Sequence, residues 1–381
     1  MTTALLKNCS LSQYEDLAEI WIVDGKISRI SFGDDSIDFD LVHDLDGAFI
    51  SPGFIDVHNH GAVGIDVNAA TADELLDVAR FLAMNGVTAW MPTLVPDSDE
   101  SYERAIKAID ELMMQQANLP VAQAVGVHYE GVFASETMCG ALRPEFFKSG
   151  QSAVGGWQLP RLAVGVHMTT MAPEIDGGIE LVERLVGDGW VVSIGHTKAD
   201  AATLDAAFAA GARHLTHFFN AMTGLHHREI GVAGWGLSTA EVSFDIIADG
   251  VHVNPKMLEF ACRVKGSDKV SLISDSVAPT GLGDGEFELW SETIAVVNGK
   301  TRNERGSIAG SVITMSDAVK QMRGLGFSGD EVAKMASLNP AILLGIEADR
   351  GSIDVGKRAD LVASDDDRNI KMTMIGGKIV K

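Results

Sequence analysis

Two histidines close an apolar run: His58 and His60, with Asn59 between them, follow Phe49-Ile50-Ser51-Pro52-Gly53-Phe54-Ile55-Asp56-Val57. In a β-strand residues i and i+2 share a face, so both imidazoles can reach one metal ion from one strand end. Neutral imidazole is the commonest metal ligand. The same spacing also occurs among surface and hydrogen-bonded core histidines, so the pair alone does not decide. Glu130, His196, His217 and Asp275 each end a short apolar run, after Val127-His128-Tyr129, Ser193-Ile194-Gly195, Leu215-Thr216 and Ile273-Ser274. Taken singly, a loop salt bridge, a helix cap, a packed core histidine and a turn cap account for them in that order. Taken together they place nitrogen and oxygen donors at the ends of five predicted strands. Zinc and related divalent metals call for such a mixture, with one position left open for water.

Elements that would bring these residues together are legible in the hydropathy pattern. Short β-rich apolar runs alternate with amphipathic helical segments through the middle of the chain, the pattern of βα units around a parallel sheet. Eight strands are expected, at Ile50–His58, Thr88–Pro92, Ala124–Glu130, Leu162–His167, Trp190–His196, His214–His217, Ser243–Ala248 and Val270–Asp275. Helical patterns between them include Ala72–Met84, Glu100–Met114, Ile179–Leu185, Ala199–Ala209 and Pro255–Val264. Eight units over about 250 to 300 residues fit an α/β fold of the (β/α)8 TIM barrel type better than an open doubly wound sheet. In such barrels the face at the C-terminal strand ends carries the active site, and all six candidates fall on it.

The ends of the chain differ from its middle. Ile20-Trp21-Ile22-Val23 and Asp24-Gly25-Lys26-Ile27 lie in residues 1–49, and Ala359-Asp360-Leu361-Val362 and Ile375-Gly376-Gly377-Lys378-Ile379-Val380 lie in residues 351–381. Asp-Gly and Gly-Gly flanked by apolar residues signal hairpins. We expect a small β-sandwich domain built from residues 1–49 and 351–381 and a metallohydrolase barrel of residues 50–350.

Composition narrows the function classes. A chain of 381 residues with 46% hydrophobic content can bury a large core, and its length calls for one large barrel or two domains. Its 30 basic and 53 acidic residues give a net charge of -23, which repels nucleic acid and anionic membranes, so neither is expected as a partner. An anionic substrate would need a local cationic pocket. No apolar run reaches about 18 residues, so no membrane span is expected. The opening Met1-Thr2-Thr3-Ala4-Leu5-Leu6-Lys7-Asn8-Cys9 lacks the basic start and apolar core of a signal peptide, so a cytoplasmic location is expected. Cys9, Cys139 and Cys262 form no CxxC pair and read as incidental reduced thiols.

The segments FIDVHNHG, HYEG, IGHT, HFFNAM, HREIG, DGVH, SDSVAPTG, GSIAGS, SLNPA and GSIDVGKRADLV resemble, in order and spacing, the amidohydrolase superfamily. The FNAM, HREIG and DGVH series is similar, more narrowly, to its N-acetylglucosamine-6-phosphate deacetylase branch. The resemblance implies that Glu130, His196 and His217 hold one divalent metal, and that His58 and His60, with Glu130 as bridge, hold a second. Zinc, iron, cobalt and manganese suit such donors nearly equally. A metal lowers the pKa of a water and polarises an amide carbonyl. Asp275 would then shuttle the proton from the water to the departing amine. The resemblance further implies substrate contacts from His252, Asn220 and Ala221, and a grip on the sugar phosphate by Arg228, with His227 adding positive charge. Arg228 would reach across a homodimer interface, where its planar fork suits phosphate oxygens.

The chain departs from that pattern at Val132, Leu142 and Ile230. The branch usually reads Glu-Gly-Pro, where Glu130-Gly131-Val132 stands here, and carries a histidine where Leu142 stands. Leu142 makes no side-chain hydrogen bond, so discrimination of a particular hydroxyl would be lost. Arg143 beside it is a candidate replacement contact. The expected function is metal-dependent deacetylation of N-acetylglucosamine 6-phosphate to glucosamine 6-phosphate and acetate. The alternatives are the N-acetylgalactosamine 6-phosphate reaction, another amidohydrolase acting on a cyclic amide or N-acyl amino acid, or a catalytically silent metal-binding barrel.

Overall fold

The computed structural model describes residues 2–12, 14–33, 38–151 and 156–380. Eight parallel strands make the barrel: β1 (Phe54–Asn59), β2 (Val87–Leu94), β3 (Gly126–Phe133), β4 (Val166–Met171), β5 (Val191–Ile194), β6 (His214–Leu215), β7 (Ser243–Ile247) and β8 (Val270–Ile273). They are hydrogen-bonded in that order. The ring closes where the Asp275 amide donates to the His58 carbonyl at 2.9 Å and the His60 amide to the Ser276 carbonyl at 2.8 Å. Strands covered on both faces read as continuous rather than alternating apolar runs. Accordingly β2 and β3 are buried at every position.

Helices fill the crossovers. The helix Ala72–Met84 starts with a capping box between Thr71 and Glu74 and buries Leu75, Val78, Ala79 and Leu82 on one face. Asp99–Gln115, Gly178–Gly187, Ala201–Ala209 and Pro255–Lys265 follow at the expected places. Gly231–Ser238 and Met315–Gly324 are further helices of the barrel's outer layer.

Four details differ from the expectation, the first being the strand expected at Ile50–His58, which breaks at Gly53 so that Phe49–Pro52 pairs with Leu361–Ser364 instead of joining the barrel. The strand expected at Leu162–His167 is displaced, because Gly165 takes φ +104° in a turn and the Leu162 amide donates to the His167 ring. The pairing strand is Val166–Met171, and the apolar Val164 that suggested otherwise is exposed. The strands expected to reach His196, His217 and Asp275 end two residues earlier, at Ile194, Leu215 and Ile273. Finally, an antiparallel sheet of Gly285–Leu289, Glu292–Val297 and Lys300–Asn303 follows β8. Its signal was Asn298-Gly299, a turn pair at φ +52° and +69° between apolar and polar alternation.

Chain ends build two four-stranded sheets. One contains Thr3–Cys9, Ala18–Val23, Lys26–Ser31 and Leu41–Asp44, and the other Phe49–Pro52, Leu361–Ser364, Ile370–Ile375 and Lys378–Ile379. Leu6, Ile20 and Ile22 of the first share a core with Leu361, Ala363 and Met372 of the second, which makes the small β-sandwich. Only Gly53 separates Phe49–Pro52, in this sandwich, from β1 of the barrel. No helix among the described residues is long and apolar enough to cross a membrane.

Candidate active site

The C-terminal end of the barrel gathers six buried side chains around one point. Glu130 projects from β3, with Oε1 3.1 Å from His196 Nε2 and 3.0 Å from His217 Nε2. Its Oε2 lies 3.2 Å from His60 Nε2, and Oε1 lies 3.5 Å from His58 Nε2. Asp275 Oδ1 faces the same two rings, 3.4 Å from His58 and 3.3 Å from His60. Two donor sets result: Glu130, His196 and His217, and His58, His60 and Asp275, each with ligand atoms within 4.8 Å of one another. Glu130 faces both.

Local backbone explains the convergence. His196, His217 and Asp275 take left-handed φ values of +48°, +34° and +49°, as do Phe219 at +78° and Ala221 at +48°. Such states are uncommon for residues with a Cβ and cluster at functional sites. At His196, His217 and Asp275 this turns the chain just beyond the strand end, where the side chain must face the barrel axis. The Asp275 turn is clamped from outside, since the Ser311 amide donates to the Asp275 carbonyl at 2.7 Å. Gly310 lies against it so closely that a Cβ would sit 2.9 Å from that same oxygen. GSIAGS therefore positions Asp275.

Neighbouring groups fix two of the four rings through Nδ1, those of His196 and His60, whereas His58 and His217 have no Nδ1 partner among the described residues. His196 Nδ1 lies 2.8 Å from the Met138 carbonyl, which takes the N–H and leaves Nε2 as the free lone pair. His60 Nδ1 is 3.2 Å from the Thr93 carbonyl. The Asp245 carboxylate accepts from the His217 amide and lies 3.1 Å from His214 Nε2. Behind His58, the buried His128 ring is held by the Val57 carbonyl at 3.1 Å and Thr170 Oγ1 at 2.7 Å.

A divalent metal fits this arrangement. Nε2 atoms of His196 and His217 lie 3.1 Å apart, and those of His58 and His60 3.0 Å apart, all facing buried carboxylates. Paired lone pairs at that distance need a cation or a proton between them. In the protein alone, protons fill that role. Burial disfavours charge on His60, but hydrogen bonds to Asp275 and Glu130 outweigh it and push the ring up to about 10. His217, buried likewise, is carried up to about 9 chiefly by Glu130. Burial would raise the carboxyls of Glu130 and Asp275, yet the charge of His58 and the surrounding imidazole hydrogen bonds hold both below their ordinary range.

A cavity of about 290 Å³ opens over these residues. Three of the expected substrate contacts, His252, Asn220 and Ala221, line it. His252 Nδ1 is tied to the Asp249 carboxylate at 2.7 Å. Asn220 donates to the His217 carbonyl of its own loop at 3.2 Å. Arg228 and His227 do not line the cavity; they meet each other at 2.7 Å on an exposed loop. Arg143, the candidate replacement contact, does not line the cavity: its Nη2 donates to Asp97 and the Pro96 carbonyl, both at 2.8 Å, and the guanidinium stacks on Phe146. Sequence reasoning missed Trp290 and Ile308, which line the cavity from the inserted sheet and the loop beyond it.

Comparison with known proteins agrees with this geometry. Residues 49–380 match the model of the amidohydrolase family. The chain is 34% identical over 372 residues to the N-acetylglucosamine-6-phosphate deacetylase of Bacillus subtilis, covering 94% of this chain and 92% of that one. It is 35% identical over 343 residues to the N-acetylgalactosamine-6-phosphate deacetylase of Escherichia coli O157:H7, covering 89% of each. The crystal structure of N-acetylglucosamine-6-phosphate deacetylase from Pasteurella multocida superposes with a TM-score of 0.90 at 28% identity, over 99% of both chains. Barrel, donor sets and sequence thus converge, and the chain belongs to the amidohydrolase family, hydrolases of amide C–N bonds.

Proposed function

We propose that the chain removes the acetyl group from N-acetylglucosamine 6-phosphate, releasing acetate and glucosamine 6-phosphate. The reading is carried by the convergence of Glu130, His196 and His217 beneath a cavity that Asp275 also lines. The sugar comes from the activity named for the Bacillus subtilis relative.

On this reading Glu130, His196 and His217 would hold one divalent ion, and His58 and His60 together with Glu130 would hold a second. The native ion is one of zinc, iron, cobalt and manganese. Such an ion supplies charge that lowers the pKa of a water and polarises the acetamide carbonyl. Asp275 accepts the proton of the attacking water at a carboxylate oxygen and returns it to the amine nitrogen as the C–N bond breaks. His252, held through Nδ1 by Asp249, keeps Nε2 for the substrate. Asn220 and Ala221 receive the phosphate end. Arg228 and His227 complete that end from the neighbouring subunit of a homodimer, which is why they stand away from the cavity of their own chain. The enzyme works in the cytoplasm, with the barrel from Phe54 onward as the catalytic domain and the two terminal sheets, Phe49–Pro52 included, as a structural one. A second substrate, the galactosamine epimer, is favoured by the apolar Leu142 and by the activity named for the Escherichia coli relative.

Acetate release from metal-replete protein tests the reading, with N-acetylglucosamine 6-phosphate beside the unphosphorylated sugar. Turnover of the phosphorylated sugar at a kcat/KM about 100-fold or more above the other is expected, given the worth of a bidentate arginine. Equal turnover of both, or of neither, overturns it. The shared site has its own test: Arg228→Ala and Asp275→Asn proteins, each nearly inactive, should regain activity when mixed, because a mixed dimer contains one intact site. No regain between proteins shown to exchange subunits would mean that Arg228 does not act across the interface.

A further inference from the structure

Trp290 stands where its backbone is least suited to it. Trp290 and Ser291 form the two-residue turn between Gly285–Leu289 and Glu292–Val297, and both take positive φ, +54° and +63°. Turns of this kind ordinarily use Asn-Gly or Gly-rich pairs, because a Cβ is disfavoured there and a bulky residue is an outlier. The companion turn of the same sheet obeys the rule with Asn298 and Gly299. Strain of this sort is retained where the surrounding structure uses it.

What the turn achieves is placement. The indole meets the His60 ring edge-to-face, centroids 5.5 Å apart at 81°. It packs beside Ala141 and Leu142 and lines the cavity over the metal-ligand cluster. Ala141, Leu142 and Ile308 line the same cavity and offer no side-chain hydrogen bond, and Ser307 beside Ile308 brings the one hydroxyl of the lining. Leu142 is itself fixed, seated over Gly131 so closely that a Cβ there would fall 2.2 Å from its Cδ1. The cavity thus combines a polar catalytic floor with an apolar, aromatic wall.

We propose that Trp290 is the specificity-determining residue of this site, its indole a platform on which the C–H face of the pyranose ring stacks. Both the gluco and galacto epimers of the phosphorylated N-acetyl amino sugar are then substrates. The inference rests on the deacetylase reading above. A flat aromatic face supplies large contact area with few rotatable bonds and no fixed partner for a hydroxyl. Sites that bond a hydroxyl reject analogues lacking it by about 10⁴-fold or more, whereas apolar walls discriminate by only about 10²-fold. An enzyme with this wall recognises the sugar by shape.

The test measures kcat and KM for both epimers with the wild type, Trp290→Gly and Trp290→Phe, together with the metal content of each protein. Glycine relieves the positive φ, so the variant is expected to fold. The expected result is a wild-type kcat/KM ratio between epimers below about 100-fold. Trp290→Gly should raise KM for both by about fivefold or more with kcat and metal content kept, and phenylalanine should restore most of the loss. A wild-type preference above about 100-fold overturns the inference and leaves the deacetylase reading standing. So does an unchanged KM in Trp290→Gly, or a loss of metal, which would make the indole a support for His60 only. Failure of the wild type on both sugars removes the deacetylase reading and the inference together.

Discussion

His196, His217 and Asp275 belong to different strands yet share one unusual backbone state, just beyond a strand end. The sequence could show their types and order because ligands and strand ends coincide in such barrels. It could not show Trp290, since the tip of a hairpin has no periodicity and its target lies far away in the chain. Asp275→Asn should keep its metal and lower kcat by about 10² to 10⁴-fold, the range of general acid–base catalysis, as read by acetate release beside metal analysis. Full turnover in that variant would end the proton-shuttle assignment. Protons held on His60 to about pH 10 and on His217 to about pH 9 must leave when a metal binds. Both values are raised, so the proton-bound form predominates below them and competes with the metal. Apparent metal affinity should therefore rise between pH 6 and 9, by about tenfold per unit for each proton displaced. Chelator competition at several pH values measures it, and a flat profile would contradict this ligand set.

Among the elements, the closing seam between β1 and β8 depends on a buried acid. Asp56, fully enclosed in β1, accepts from Ser274 Oγ at 2.6 Å, Asn59 Nδ2 at 3.1 Å and the Ser274 amide at 3.2 Å. Burial raises its carboxyl pKa against these hydrogen bonds. Asp56→Ala deprives the Ser274 hydroxyl and amide of their buried acceptor, while Asn59 Nδ2 keeps Ser276 Oγ at 2.7 Å, and should cost about 2 kcal/mol. A fall in the denaturation midpoint of the metal-free protein would register it, and an unchanged midpoint would deny the latch. Between β3 and β4 the constraint is steric, because a Cβ on Gly126 would lie 2.0 Å from the Val166 carbonyl. Gly126→Ala should lower expression of folded protein, with a destabilisation of about 3 kcal/mol. Most barrel strands were legible because burial on both faces makes them short, mostly apolar runs bounded by turns. β4 was misplaced because Leu162-Ala163-Val164 is equally apolar, and only the turn at Gly165 decides where pairing begins.

The whole molecule carries a net charge of -23 and is proposed to act on a dianionic sugar. Long-range repulsion should slow the encounter in dilute buffer, and salt should screen it. Raising ionic strength from about 10 to 150 mM should increase kcat/KM for the phosphorylated sugar, because the Debye length falls from about 30 to 8 Å. A steep decrease instead would mean that a cationic entrance dominates the field. The two-layer plan of sandwich and barrel could be read from hairpin signals at both ends, but the sequence offered no sign of how closely they are joined. Ile50 pairs with Ala363, and the same continuous stretch of chain, after Gly53, becomes the strand that bears His58 and His60. During synthesis, Phe49–Pro52 must therefore wait for a partner made some 310 residues later, about 15 to 60 s at ribosomal speed. Until then the stem of the two-histidine strand has an open edge. His58 and His60 are thus the first of the site residues to leave the ribosome, yet the strand that carries them gains its foundation only when the last sheet forms.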